Sequence, residues 1–256
     1  MSVYDEHIAR VREYLNERQA REFHCPAAVD ELRKGLPVRV GPGSNPGIIL
    51  RSDMYAELGN PAAGSIGFVV WTENPSLIRD GRIVLVGPDV PQMQGGSYPF
   101  GQILMVGGRN LNKESQEIIE GHRHVSDDLE GYMVRSLSHN VWGRVSRDAV
   151  AKGFTMETLG RALMIAMKGD MPEVEAMEVV FITSSKEDIT QLDPIASSVK
   201  GLREAIIKEV WKERGYELDC NVDCSSCDSR VTCDDIKQMV LARKQREKAA
   251  VPETQK

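Results

Sequence analysis

Four of the five cysteines, Cys220, Cys224, Cys227 and Cys233, lie within fourteen residues in the stretch DCNVDCSSCDSRVTCDD, with the pattern CxxxCxxCxxxxxC. Thiolates this close in sequence can converge on one centre from a single loop, and soft sulfur donors select an iron–sulfur cluster or zinc over hard cations. A disulfide framework fits poorly, because the spacings are short and the cysteine total is odd. The irregular spacing lacks the paired CxxC…CxxC symmetry of a zinc ribbon, which favours a [4Fe-4S] cluster and leaves zinc as the alternative.

Other residues offer weaker chemistry. GHRHVSDD brings His122 and His124 close to Asp127 and Asp128, a grouping that could bind a divalent metal or shuttle a proton. Histidines at i and i+2 point to different faces of a helix, so a solvated helix end is the better reading. His139, beside Asn140, reads equally as a structural or a functional histidine, and Cys25 reads as a small buried hydrophobe. The glycine pairs around 95–108 lack GxGxxG before a helix and read as tight turns. CxxxCxxC also matches the spacing of radical S-adenosylmethionine enzymes, but those place the motif ahead of a long barrel. Here Cys233 can close the fourth position, giving a site that is structural or electron-transferring.

The elements that must position these groups follow from pattern. With 256 residues and 41% hydrophobic content, the chain can bury a core without disulfide staples. A net charge of −6 gives no basic footprint for nucleic acid, and no apolar run approaches the ~18 residues of a membrane span. The start, MSVYDEHIARVREYL, reads as an amphipathic helix rather than a signal peptide, so a cytoplasmic location with reduced thiols is expected. Helices are expected over 4–18 and 26–34. Then VRVG, GIILR, SIGFVVW, RIVLVGPD and QILMVGG read as strands broken by Gly and Pro. A helix near 113–122, a strand at VWGRVS, a helix at 155–168 and a strand at MEVVFITS follow, which argues an α/β domain with a largely buried sheet. After Ser184 the pattern turns helical, and Asp234 and Asp235 suit the first turn of a final helix. The expected organisation is a helical segment at 1–36, an α/β domain at 37–190, a helix, cysteine loop and helix at 191–248, and a flexible tail at 249–256.

Across residues 37–184 the chain resembles acetyl-CoA synthase, the beta subunit of the CO dehydrogenase/acetyl-CoA synthase complex, in the part preceding its nickel site. RSDMYAELG at 51–59 is similar to that family's R-x-x-D-M-Y-x-E-F-G, and DGRIVLVGPDV at 80–90 to its D-G-K-I-x-V-I-G-P-D-I. GGSYPFGQILMVGGRNL at 95–111 follows the family's Gly-Arg segment, and VWGRVSRDAVAKGF at 141–154 its W-x-R-V-S-K-D-A-V-A-K-G-F. The resemblance implies a Rossmann-like domain on which coenzyme A docks among arginines and a tryptophan. By motif position these are Trp142, Arg144 and Arg147, with Arg109 a further basic position. Guanidinium groups grip phosphates bidentately and an indole can stack on adenine.

Two departures stand out. Ser138 and His139 occupy the stretch where the family runs Gln-Arg-Asn, and no Cys-Gly-Cys for a distal nickel occurs in the sequence. The expectation is therefore an iron–sulfur subunit related to acetyl-CoA synthase, an accessory component of an anaerobic enzyme complex rather than a complete synthase. It would partner other subunits and a coenzyme A or acyl-CoA ligand. The alternative is an interaction protein in which a zinc ion or a redox-silent cluster only staples a helical pair.

Overall fold

The computed structural model describes residues 2–44, 47–93, 95–123, 129–137 and 140–213. The cysteine loop, the helix expected after Asp235 and the tail lie outside them, as do His124, Asp127, Asp128, Ser138 and His139.

Strands with apolar residues on both faces form the centre. β3 (Ser65–Thr72), β4 (Arg82–Val86), β6 (Phe100–Gly107) and β9 (Ala176–Ile182) are buried almost throughout, as expected of near-continuous runs covered on both sides. Together with β1 (Arg21–His24) they make a five-stranded sheet of order β1-β4-β9-β6-β3. β4 runs parallel to β9 and β3 parallel to β6, while β6 and β9 are antiparallel, so the sheet is mixed. A second, four-stranded sheet holds β2 (Met54–Leu58), β5 (Ser97–Tyr98), β7 (Tyr132–Leu137) and β8 (Asn140–Ser146) in the order β5-β2-β8-β7.

The helices close over these sheets by identifiable local signals. α1 (Asp5–Asn16) buries Ile8, Val11, Tyr14 and Leu15. α2 (Val29–Arg33) is a single short segment, and α3 (Ser115–Gly121) follows β6. α4 (Arg147–Ala151) starts where the Ser146 side chain accepts from the Ala149 N–H. α5 (Met156–Asp170) starts at a reciprocal cap between Thr155 and Thr158. Gly160 lets α5 settle on Ile83, since a Cβ there would stand 2.6 Å from that side chain. α6 (Lys186–Glu213) is one continuous helix of 28 residues.

The α/β expectation holds, while two of the expected strands do not form. VRVG leaves only an isolated bridge between Val40 and Leu129, and GIILR forms no strand. Gly41, Gly43 and Gly47 all adopt positive φ, so the chain keeps turning instead of extending. Only Ile49 of that second run is buried, while Ile48 and Leu50 are exposed. REFH, which has no apolar alternation, forms the edge strand β1. The boundary expected at 190/191 falls inside α6, whose Ile189, Leu192, Ile195 and Val199 all pack inward. The first compact unit accordingly runs to Lys208, and of the second, Glu209–Lys256, only the last residues of α6 are described.

Cys25 is half-buried beside Gly81, its N–H donating to the Gly81 carbonyl at 2.8 Å. Burial pushes its thiol up to about 11, with Glu157 adding to the shift and Arg161 opposing it. Because the thiolate is the nucleophile, alkylation of Cys25 at pH 8 should run about 100-fold slower than for an ordinary thiol. Peptide-resolved iodoacetamide labelling of the native chain checks this, and denaturant should abolish the protection.

Candidate ligand-binding face

The second sheet has one inner and one outer side. Along β8 burial alternates, with Val141, Gly143 and Val145 inward and Asn140, Trp142, Arg144 and Ser146 outward. The inward side fits closely. A Cβ on Gly143 would stand 2.9 Å from the Tyr132 hydroxyl, and one on Gly67 of β3 only 2.2 Å from the Val141 side chain. β8 is thus pressed against the first sheet at Val141, and its even-numbered residues are left to face outward.

Trp142 and Arg144 meet on that outer side, the guanidinium carbon lying 4.7 Å from the indole centroid. Such stacking is a cation–π contact of ~0.5–1 kcal/mol or more. Arg144 is pinned from two further directions. Its Nε and Nη2 donate to Glu57 Oε1 at 3.3 and 3.2 Å, and its Nη1 donates to the Ile49 carbonyl at 3.0 Å. Glu57 is the register partner of both Arg144 and Ser97, so β2 sets it between β8 and β5. Its Oε2 accepts from Ser97 Oγ and Asn60 Nδ2, each at 2.8 Å.

Burial would by itself push the Glu57 carboxyl up, but hydrogen bonds from Ser97, Asn60, Arg144 and Trp142 outweigh it and hold the group below the usual carboxylate range. A depressed carboxyl contributes stability above its unfolded pKa and loses it as pH falls through the folded one. The brace is therefore intact at neutral pH and opens only in acid, below the ordinary glutamate value of ~4.3.

The remaining sequence candidates are distributed differently. Arg147 is exposed at the first position of α4, where its backbone N–H donates to the Asp53 carbonyl at 2.8 Å. Arg109 lies beyond the end of β6, in the first sheet, with its guanidinium 3.1 Å from Glu175. The fold thus brings Trp142 and Arg144 together, sets Arg147 one element away, and does not gather Arg109 with them. His122 stands 3.6 Å from Asp170, and among the described residues no group of three or more His, Cys, Asp or Glu could hold a metal ion. Glu57, Asn60 and Ser97 were not singled out from sequence. Glu57 lies inside the RSDMYAELG motif, which is the only signal that could have drawn attention to it.

A mixed α/β chain with an aromatic and arginine face on a second sheet is the class of protein defined here. The sequence model of the CO dehydrogenase/acetyl-CoA synthase complex beta subunit matches residues 36–188, and the chain belongs to that family. It is 31% identical over 199 residues to acetyl-CoA decarbonylase/synthase complex subunit beta 2 of Methanosarcina thermophila, covering 76% of this chain and 40% of that one. It is 30% identical over 189 residues to the carbon monoxide dehydrogenase/acetyl-CoA synthase subunit alpha of Moorella thermoacetica, covering 72% of this chain and 24% of that one. The chain therefore spans well under half the length of these relatives. Among the described residues no helix is long and apolar enough to cross a membrane.

Proposed function

We propose that this chain is an iron–sulfur subunit of an anaerobic, cytoplasmic CO dehydrogenase/acetyl-CoA synthase type of assembly, receiving a coenzyme A or acyl-CoA ligand on the Trp142 face. The observation that carries the ligand reading is the half-exposed indole held beneath a guanidinium on the outer side of β8. A flat aromatic with fixed orientation suits an adenine ring, and Arg147 at the start of α4 extends the basic character along the strand. The Rossmann-like character implied by the resemblance belongs to the same reading. Arg109 is already paired with Glu175, and the proposal gives it no contact with the ligand.

Cys220, Cys224, Cys227 and Cys233 supply four thiolates at a sequence spacing that suits a [4Fe-4S] cluster, which would provide one-electron transfer or order a docking surface. Other subunits of the complex are the proposed partners. No Cys-Gly-Cys occurs in the sequence, so carbonyl insertion at nickel is not part of the proposal.

Chemical analysis of the full chain purified without oxygen tests the cluster. About four irons and four sulfides, with absorbance near ~400 nm that dithionite bleaches, are the expected result. Colourless protein with stoichiometric zinc would overturn the redox role and leave the stapled interaction protein. For the ligand, calorimetric titration with coenzyme A should give heat that Trp142→Ala loses.

A further inference from the structure

The arginine that motif position nominates for phosphate is the one least able to provide it. Arg144 has its Nε and Nη2 on the Glu57 carboxylate, its Nη1 on the Ile49 carbonyl, and its flat face on the Trp142 ring. An anion approaching this guanidinium also approaches an ionised carboxylate that four side chains hold in place. Its charge is matched before any ligand arrives.

Arg135 presents the opposite case. It stands on β7 directly opposite Trp142 in the antiparallel register. The two side chains therefore leave the sheet on the same face, with Cβ atoms ~4.5–5.5 Å apart. Arg135 is exposed, and its guanidinium has no hydrogen-bond or ion-pair partner among the described residues. Arg147 also lacks a side-chain partner among them, but a rise of ~3.3 Å per residue puts Ser146, the residue before it, roughly 13 Å along the strand from Trp142.

We infer that Arg135 is the guanidinium that meets the phosphate of the ligand seated on Trp142, and that Arg144 is a positioning residue, withheld from that phosphate by Glu57. The inference rests on the coenzyme A reading and assigns the ligand's charge to a residue outside the family motif. Arg144 keeps the indole flat, while Arg135 supplies a forked donor with its hydrogen bonds still unspent.

Calorimetric titration of the full chain with coenzyme A, at two ionic strengths, tests the assignment. Arg135→Gln should weaken binding at least tenfold at low salt and flatten the salt dependence, because the lost contact is a screened charge interaction. Glu57→Gln should tighten binding several-fold by releasing Arg144. A structural role for Glu57 alone would never produce that gain, and the double variant Glu57→Gln with Arg135→Gln should recover part of the loss. Arg135→Gln binding with wild-type affinity and salt dependence would overturn the inference while leaving the coenzyme A reading standing. Weakened binding in Glu57→Gln with retained circular dichroism would also overturn it. A wild-type chain that gives no heat with coenzyme A would overturn the reading itself, and the inference with it.

Discussion

Glu178→Ala should lower stability by about 3 kcal/mol, read as a shift in the urea midpoint at unchanged slope. Glu178 has no exposed side-chain surface, and it lies in β9 at the centre of the first sheet. Its two oxygens take Arg12 Nη2 at 2.9 Å and Arg82 Nη1 at 2.7 Å, and the Arg79 N–H adds a third donor at 3.3 Å. Removing the carboxylate leaves cationic donors facing an apolar strand, and a broken buried pair costs ~3–5 kcal/mol. The low end applies because Arg82 keeps Glu22 and Arg12 is about a quarter exposed, at 24%. Replacing Arg82 and Glu178 together with leucine should recover much of the loss, since the desolvation cost of both charges disappears.

Gly59→Ala is expected to be comparably damaging and, on the coenzyme A proposal, to weaken that binding as well. Gly59 has φ of +69°, and a Cβ built there would lie 2.0 Å from the Val141 carbonyl oxygen and 2.8 Å from the Ser65 side chain. The left-handed conformation costs an L-residue ~1–2 kcal/mol. Relieving the collision moves backbone, which adds overpacking strain of ~1–3 kcal/mol. Because Val141 precedes Trp142, that movement disturbs the outer face of β8 that carries the indole. Thermal melts with and without coenzyme A separate the two effects. A variant that is as stable as wild type and binds equally well would contradict the packing described.

How much of this was legible in the sequence depends on the range of the interaction concerned. SIGFVVW, RIVLV, QILMV and MEVVFI announced strands because burial on both faces leaves an unbroken apolar run, and the helix expected at 155–168 is α5. That these four runs share one sheet while β2, β5, β7 and β8 build a second was not legible. It depends on pairings such as Phe68 with Ile103 or Leu58 with Gly143, which no local pattern encodes. GIILR carries the composition of a strand, yet glycines at positive φ turn the chain out of the sheet. Trp142 and Arg144 were visible in a motif. The carboxylate that decides what Arg144 can do lies 87 residues earlier in the chain, and Arg135 became a candidate only once the register placed it opposite the indole.

Val141 works as a dowel. Its side chain occupies the space that Gly67 of β3 leaves, doweling β8 to the first sheet beside the indole, while its carbonyl fills the space that Gly59 leaves just past β2. A floor fastened from below cannot pucker to suit an awkward guest. Whatever selectivity this face possesses is settled in advance by the rigid plane, and any give belongs to the long arginine arms around its rim.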